Sequence, residues 1–365
     1  MAFSVNILSQ NQTLIPLDFP PLKLRNPRIL FKSLSPMRNV CSQKRISISA
    51  SATKVATDVD AQGKISESLS RWEEFTRNVS GEWDGFGADF TSEGKPIELP
   101  ESIVPEEFRE WEVKVFDWQI QCSTLAETDE PVLVYKLIKL LPTVGCEADA
   151  ATRYSINERS IGGINNKVSA FAYHPSGCYV AVWPVEDREA YRLLELEHCL
   201  VDPQNRESRV RIIQVFRLEN TMMKLQNIKV FCEQWYGPFR NGEQLGGCSI
   251  RDSGFASTEV VKLSEVIGVW QGTSTVASFH GPRRIIFQEL VDENPRSLMR
   301  DQHGLTLLPK QLWCSLEERE DGESWAEVGW LLDSGRALTS RCIFLKDGKL
   351  EEIAIGHETS TSEGV

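Results

Sequence analysis

The stretch Ser80-Gly81-Glu82-Trp83-Asp84-Gly85 decides the fold, because its centre recurs as Gly268-Val269-Trp270-Gln271-Gly272 near the other end of the chain. Both copies read Gly-x-Trp-x-Gly, and they lie 187 positions apart. Short runs of alternating apolar and polar residues follow each copy, and turn residues separate these runs. This arrangement predicts the starts of two β-barrel modules rather than a catalytic signature.

The composition is that of a globular chain with two folded units. The chain has 365 residues, of which 25% are charged and 41% are hydrophobic, and this length exceeds that of one usual domain. Its ten tryptophans carry enough apolar surface to anchor two cores. No later stretch approaches the roughly eighteen consecutive apolar residues of a membrane span, so we expect no integral membrane segment.

The N-terminal residues 1–52 differ from the rest, with seven basic residues, one acid (Asp18) and many serines. This composition is typical of an organelle transit peptide, and the run from Arg45 to Ala52 favours a chloroplast, with cleavage near Ala50 to Ala52. A disordered basic arm is the alternative. Residues 53–63 are polar and are predicted to form a flexible lead-in.

Net charge bears on location and partners. Because the segment 1–52 carries +6 of a total of −12, the remaining chain carries −18, which repels nucleic acid. No second apolar targeting core follows Ala52, so we expect the stroma rather than the thylakoid lumen.

Cysteine and histidine spacing does not predict a metal site. Eight cysteines follow the first 52 residues without a C-x-x-C pair, and the five histidines form no ligand-spaced cluster with them. Small buried hydrophobic residues are the favoured interpretation, and a redox pair between distant cysteines stays open. The usual catalytic motifs are missing, so no catalytic residue and no cofactor is assigned.

Residues 64–256 are predicted to form an N-terminal barrel that is entered through a helix. The helix would bury one apolar stripe, which is formed by Ile65, Leu69, Trp72, Phe75 and Val79. Docking of this stripe to a partner is the alternative. The glycines 85 and 87 predict a turn. Eight to nine strands should follow between Trp83 and Trp235, enough to close a barrel, and they include 111–115, 131–141, 167–183 with a turn at 174–177, 194–200, 209–216 and 222–235.

Residues 257–357 are predicted to form a smaller barrel, followed by a flexible tail at 358–365. Eight candidate strands occupy 266–270, 275–279, 284–289, 305–308, 311–316, 325–332, 339–345 and 350–355. Turns at Asp321-Gly322, Ser334-Gly335 and Asp347-Gly348 follow one another at intervals of thirteen residues, which indicates an up-and-down meander.

The Gly-x-Trp motif at the start of an eight-stranded meander resembles the first motif of the lipocalins and the wider calycin group. From about Leu69 to Ile355 the chain resembles a calycin-like family of unknown function from cyanobacteria and chloroplasts, and it is more distantly similar to cyanobacterial bilin lyases. The resemblance implies an all-β fold of two tandem antiparallel up-and-down barrels, behind a short helix and a disordered transit peptide.

The same resemblance implies structural roles at the closed ends of the barrels. They fall to Gly81, Trp83, Gly268 and Trp270, and the glycines would let the chain enter without a side-chain clash. In lipocalins an arginine of the last strand packs over this tryptophan. Arg341 or Arg336 is the counterpart in the second barrel, and the first barrel offers no clear one.

Five residues are candidate ligand contacts. His198 lies on the apolar side of a predicted strand, where a hydrogen-bonded core histidine is the alternative. Arg209 and Arg211 share a strand face and would hold a carboxylate or tetrapyrrole propionates if that face points inward; an outer face in water is the alternative. Glu233 and Tyr236 would form a polar end of the same cavity.

Three functions are consistent with these residues. The first is a stromal lipocalin-like protein that binds a small apolar or tetrapyrrole-like pigment, since barrel mouths are common ligand sites. The second is a calycin-type lyase or isomerase that acts on such a ligand. The third is an assembly or scaffolding factor for plastid complexes.

Overall fold

The structure, a computed structural model, describes residues 71–144, 152–188, 191–219, 222–243, 254–279, 286–333 and 335–361. The predicted leader 1–52, the lead-in 53–63 and the helix positions Ile65 and Leu69 lie outside these residues. The described chain is mostly β and belongs to one compact unit.

The first part of the chain contributes two helices and nine strands: α1 (71–79), β1 (Gly81–Thr91), α2 (Glu106–Glu110), β2 (Asp117–Ala126), β3 (Leu133–Leu140), β4 (Arg153–Ile161), β5 (Ala170–Tyr173), β6 (Tyr179–Arg188), β7 (Tyr191–Val201), β8 (Ser208–Glu219) and β9 (Met222–Gly237). The second part contributes one helix and eight strands: α3 (Leu263–Val266), β10 (Gly268–Ser278), β11 (Phe287–Glu289), β12 (Val291–Arg300), β13 (Leu305–Leu308), β14 (Leu312–Glu318), β15 (Ser324–Asp333), β16 (Arg336–Phe344) and β17 (Leu350–Ser360).

These strands form two sheets. The first runs β11-β5-β6-β7-β8-β9-β1-β2-β3-β4 and curls into a half-barrel, and the second runs β12-β10-β17-β16-β15-β14-β13. All neighbours are antiparallel except β11, which lies parallel to β5 and so joins the second part of the chain to the first sheet. In the described residues each strand order has two ends, so neither ladder is closed by backbone hydrogen bonds.

Helix α1 packs its apolar stripe against the first sheet. Trp72, Phe75 and Val79 are buried, and Phe75 packs 5.2 Å from the ring of Tyr173. Burial of each large side chain stabilises the fold by about 2 kcal/mol. Phe75 has no exposed surface, so Phe75→Ala should cost roughly 3 kcal/mol or more.

The two Gly-x-Trp-x-Gly copies use their glycines in the same way. Gly81 and Gly268 have φ angles of 142° and 121°, which side chains disfavour. A Cβ on Gly85 would lie 1.9 Å from the carbonyl oxygen of Cys232, and one on Gly272 would meet the oxygen of His357 at the same distance. The second glycine of each copy therefore permits close strand pairing. The predicted turn at residues 85 and 87 was wrong, because β1 runs straight through both.

Two other strand predictions were wrong. The alternation at 111–115 does not form a strand, because Trp111 and Val113 face solvent after α2 and have no sheet to pair with. The runs 266–270 and 275–279 belong to a single strand, β10. Strands β4 and β12 were missed because both are rich in polar residues and lie at sheet ends, where one backbone edge stays unpaired.

The hairpin turns of the second sheet were predicted correctly. Gly322 and Gly348 have φ angles of 85° and 75° and join β14 to β15 and β16 to β17. Strand β17 extends to Ser360, which is three residues into the predicted tail.

A single apolar core lies between the two sheets. Leu196, Leu200 and Ile212 of the first sheet belong to the same buried cluster as Leu338 and Ile353 of the second. Because successive residues of a strand point to opposite faces, the alternate positions of β7 and β8 point into the concave side of the first sheet. The first sheet is therefore buried on both faces where these strands cross it.

Six cysteines are described, and all are free thiols. Five of them, at 122, 178, 199, 314 and 342, are buried, which confirms the interpretation as small core residues. Cys146 and Cys248 lie outside the described residues.

Candidate functional site

The two tryptophans of the repeat lie in the same local structure, between the end of a helix and the start of a strand. The Nε1–H of Trp83 donates to the carbonyl oxygen of Val79 at 3.0 Å, and that of Trp270 donates to Val266 at 2.8 Å. Each acceptor is the last residue of the helix that precedes the motif. Trp83 and Trp270 are fully buried, so each fixes the exit of a helix against the start of a strand.

An arginine lies over each tryptophan. The guanidinium of Arg209 is 4.0 Å from the Trp83 ring, so the first sheet has the counterpart that its sequence did not reveal. The cation nearest Trp270 is Arg300 of β12, at 5.4 Å. Arg341 instead lies 4.9 Å from the Trp325 ring. Stacked cation–ring pairs of this kind stabilise a desolvated guanidinium.

In the second sheet, the buried Glu327 carboxylate holds two arginines. It accepts hydrogen bonds from Arg300 Nε at 2.7 Å and from Arg341 Nε at 3.0 Å. Burial opposes its ionisation, but Arg341 and Arg300 outweigh burial and lower the pKa of Glu327. The cavity beside this cluster is only about 50 Å³, too small for an organic ligand. Arg336 lies at the surface and pairs with Asp333.

In the first sheet, Glu233 clamps the two arginines that share the face of β8. Arg209 Nε donates to Glu233 at 2.6 Å, and Arg211 donates through Nε at 2.9 Å and through Nη2 at 2.8 Å. All three side chains are buried on the concave side, so the water-exposed alternative for Arg209 and Arg211 is wrong. Burial opposes ionisation of Glu233, yet Arg209 and Arg211 hold its pKa below the ordinary value.

Glu197 of β7 is the second buried carboxylate of this network, and its side chain has no exposed surface. Its Oε1 accepts from Tyr179 at 2.9 Å and from Arg211 Nη1 at 3.1 Å. Its Oε2 accepts from Tyr135 at 2.7 Å and from Trp183 Nε1 at 2.9 Å. Four donors therefore fix this carboxylate. Burial and the Glu197 charge raise the pKa of both tyrosines well above 10, so both stay neutral donors.

Arg159 of β4 lies where this network reaches the surface. Its Nη2 donates to Glu195 at 2.5 Å, and its guanidinium stacks 4.7 Å from the Trp183 ring. Glu195 also accepts from Lys229 at 2.7 Å. The Nη1 atom of Arg159 has no hydrogen-bond partner in the described chain and lies 3.8 Å from Glu197, beyond hydrogen-bond distance. Because Nη1 is itself buried, the Arg159 guanidinium links Glu195 to the buried carboxylate of Glu197.

Arg159 also belongs to the wall of a cavity of about 720 Å³ at the open edge of the half-barrel. Strands β3 and β4 line one side, and β6 and β7 line the other. Apolar surface comes from aromatic side chains that include Tyr135, Trp183 and Phe239. The charged lining residues carry one excess positive charge: Lys136, Glu158, Arg159, Lys167 and Glu195.

The other two predicted contacts lie elsewhere. His198 is buried between the sheets, and its Nδ1 is 2.9 Å from Ser340 Oγ. Burial lowers the pKa of His198 to about 3, so the ring is a neutral core group at physiological pH. Tyr236 is half exposed and lines a different cavity, between the two sheets. The structure therefore brings Arg209, Arg211 and Glu233 together and separates His198 from them, while the cavity that Tyr236 lines also includes Arg209 and Glu233 in its wall.

The sequence reasoning did not find Glu197, Arg159 or Tyr135. A usable signal was present for the first, because Glu195 and Glu197 alternate on β7 as Arg209 and Arg211 do on the neighbouring β8. Opposite charges at alternating positions of paired strands predict cross-strand contact. No comparable signal marked Arg159, because β4 itself was missed.

Within the described residues, no group of histidine, cysteine, aspartate or glutamate side chains is arranged to hold a metal ion. Nor does that part of the chain contain a helix with the length and apolar character needed to cross a bilayer.

Comparisons with known proteins give a likeness of fold only. No protein-family model and no curated protein matches the sequence. A crystal structure of a protein of unknown function of the DUF3598 family from Nostoc punctiforme PCC 73102 matches 80% of this chain and 99% of its own, at 12% identity and a TM-score of 0.48. MucB in complex with MucA matches 80% of the chain at 10% identity, with a TM-score of 0.17. Outer membrane phospholipase A from Escherichia coli matches 79% at 8% identity, with a TM-score of 0.15.

Proposed function

We propose that this chain is a calycin-like binding protein of the chloroplast stroma, whose ligand is a small, largely apolar molecule with a carboxylate, of the tetrapyrrole pigment kind. The two sheets would act as tandem barrels, of which the first holds the ligand. The ligand would occupy the 720 Å³ cavity at the edge of the first sheet.

The observation that carries this proposal is the place of Arg159 in the wall of this cavity. Its guanidinium pairs with Glu195 and stacks on Trp183, so it is fixed in position, and its positive charge would attract an anion bound in the cavity. Ligand cavities usually measure about 300–1,000 Å³ and combine apolar walls with a few placed polar groups. The cavity beside Arg159 meets both conditions.

Arg209 and Arg211 have a supporting part in this proposal rather than the ligand-binding part expected from sequence. Their hydrogen bonds go to Glu233 and Glu197, so an incoming carboxylate would have to displace a buried internal one. That exchange leaves a desolvated charge without partners, which typically costs 3–5 kcal/mol. The network instead fixes Glu197, which in turn holds Trp183 and Tyr135 at the cavity wall.

Biliverdin and biliverdin dimethyl ester test the proposal, because esterification removes the carboxylates and leaves the tetrapyrrole unchanged. We expect the protein to bind the free acid, with a change in its visible absorption. Arg159→Gln should weaken that binding about 10- to 100-fold, since one charge-assisted hydrogen bond contributes roughly 1.5–3 kcal/mol. It should leave ester binding unchanged.

Arg153→Gln is the matched control, because it makes the same change on the same strand outside the cavity lining. Equal binding of the free acid to wild type and Arg159→Gln would contradict the assignment of the site. Failure of the wild-type protein to bind either compound would contradict the tetrapyrrole class.

The proposed location has a separate test. Residues 1–52 fused to a fluorescent protein should direct it into chloroplasts, and N-terminal sequencing of the imported product should place the cleavage near Ala50 to Ala52. Cytosolic fluorescence would refute the stromal assignment without affecting the ligand proposal.

A further inference from the structure

A second cavity, of about 530 Å³, lies between the two sheets, and its lining includes Asp84 together with Arg209 and Glu233. Its wall is rich in aromatic residues, and Tyr236 is 49% exposed. The aromatic lining residues come from both sheets and from the segment that connects them: Phe86, Trp235, Tyr236, Phe255 and Trp330. We refer to this cavity as the inter-sheet cleft.

Asp84 is a carboxyl group in the lining of the inter-sheet cleft. Its side chain is 6% exposed, and in the described chain its Oδ1 has no hydrogen-bond partner. The nearby carboxylates have partners, because Gln121 and Ser123 donate to Glu82 and two arginines donate to Glu233. Within the described chain, Asp84 Oδ1 is therefore a buried oxygen without a hydrogen-bond donor, and such atoms are uncommon.

We propose that the inter-sheet cleft is a second ligand site, which takes an aromatic amine or another aromatic organic cation, with Asp84 as the counter-ion. The aromatic lining residues other than Trp235, together with the Asp84 carboxylate, provide the two elements by which proteins recognise organic ammonium groups, ring faces and a negative charge. The preference is opposite to that of the cavity beside Arg159, which favours an anion.

The electrostatics around Asp84 agree with a cationic ligand. Burial, followed by the charges of Glu82 and Glu233, raises the pKa of Asp84 to about 7. The other charged groups that line the cleft are Arg209, whose guanidinium lies on the concave side with Glu233, and Lys310 of the second sheet. Lys310 lowers the pKa of Asp117, so part of its charge is directed to that carboxylate.

The turn that carries Lys310 is held in an uncommon conformation. Lys310 and Gln311 connect β13 to β14 with φ angles of 58° and 61°, although neither is glycine or asparagine. Side chains in this region cost of order 1 kcal/mol each, and they persist where surrounding contacts fix them. Here the Gln311 carbonyl accepts from the amide of Leu331 at 2.8 Å, which fixes the turn at the edge of the cleft.

Tryptamine and indole-3-propionate test this inference, because they share one ring system and carry opposite charges. By isothermal titration calorimetry of the full chain at pH 8, tryptamine should bind and Asp84→Asn should weaken it at least 10-fold. Asp117→Asn is the control, since it removes the other buried aspartate of this face with the same change in charge. It should alter tryptamine affinity less than twofold.

The pH dependence gives a second measurement. The ionised fraction of a group with a pKa near 7 rises from about a tenth at pH 6 to about nine-tenths at pH 8, so wild-type affinity for tryptamine should rise up to ninefold. Asp84→Asn should lose this dependence. Equal affinity in wild type and Asp84→Asn, or binding of indole-3-propionate as tight as tryptamine, would overturn the proposal. Because Arg159 lies on another face, none of these results depends on the tetrapyrrole site.

Discussion

His198 should make the fold sensitive to mild acid through one buried ring. The folded-state pKa of about 3 lies below the ordinary value of 6.5, because burial disfavours the imidazolium. As the pH falls, the unfolded chain therefore takes up this proton before the folded one does. The stability due to the neutral ring is complete above pH 6.5 and is lost progressively between pH 6.5 and 3.

These two values set the size of the effect. At pH 5 the unfolded histidine is mostly protonated and the folded one is not, which corresponds to about 2 kcal/mol of lost folding free energy relative to pH 7.5. Two buried aspartates change stability in the other direction. Burial raises the pKa of Asp84 to about 7 and that of Asp117 to about 6, so both favour the folded state as the pH falls. The stability of the wild type alone therefore does not isolate the histidine.

The difference in unfolding free energy between the wild type and a His198 variant isolates the contribution of the histidine. His198→Asn keeps a polar group near Ser340 but removes the titration, and the aspartate contributions cancel in the comparison. Urea unfolding at pH 7.5 and pH 5 should show the variant gaining about 2 kcal/mol on the wild type at the lower pH. His303→Asn, at an exposed turn, controls for the chemical change. A wild-type-minus-variant difference that stays constant within about 0.5 kcal/mol would refute the assignment of a buried neutral ring.

Two further predictions concern the framework. Arg209→Met should lower the free energy of unfolding by about 3 kcal/mol or more, because it removes one partner from a buried ion pair. Arg217→Met, at the partly exposed end of the same strand, should lower it by less than about 1 kcal/mol. Gly85→Ala and Gly272→Ala should each lower the free energy of unfolding by more than about 2 kcal/mol, because the new Cβ would meet a neighbouring carbonyl oxygen. Gly237→Ala is the control, because a Cβ at that position has open space around it. Urea titrations of the five variants and the wild type would decide both predictions, and a Gly85→Ala variant as stable as Gly237→Ala would contradict the second.

Local signals predicted the parts of the fold that depend on local geometry. The sequence predicted the helical stripe of Trp72, Phe75 and Val79 and the glycine turns at 322 and 348. Both features depend on residues that are near one another in the sequence. Gly85 and Gly87 were misread for the same reason. Glycine often marks a turn, but here its small size serves the approach of β9, which is distant in sequence.

Elements that depend on long-range pairing were not predictable in this way. Strand β12 contains Asp292, Asn294 and Pro295, a composition that argues against a strand. It is tolerated because β12 is an end strand, paired with β10 alone, and proline is acceptable at sheet edges. The parallel contact of β11 with β5 joins residues more than a hundred positions apart, and no local pattern indicates it.

The candidate site was recovered in part for a related reason. Sequence alternation on β8 identified Arg209 and Arg211 as one face, but it could not say whether that face meets water or protein. Polar faces of antiparallel strands usually meet water, and an isolated glutamate or arginine is rarely buried. Strand β8 departs from this rule because a different layer covers each of its faces. The second sheet packs on one face, and the concave interior with α1 lies on the other.

This double burial gives the buried charges a role beyond their uncertain contribution to stability. In a strand that is buried on both faces, a slip by one residue would exchange the faces without exposing apolar surface to water, so hydrophobicity alone fixes the register weakly. A slip of β8 would move Arg209 and Arg211 away from Glu233 and Glu197 and towards the apolar core around Leu338. The desolvation cost of two unpaired guanidiniums would then oppose the slipped pairing far more strongly than the loss of van der Waals contacts. We therefore infer that the Arg–Glu network specifies which face of the first sheet becomes the cavity wall and which becomes the inter-sheet core.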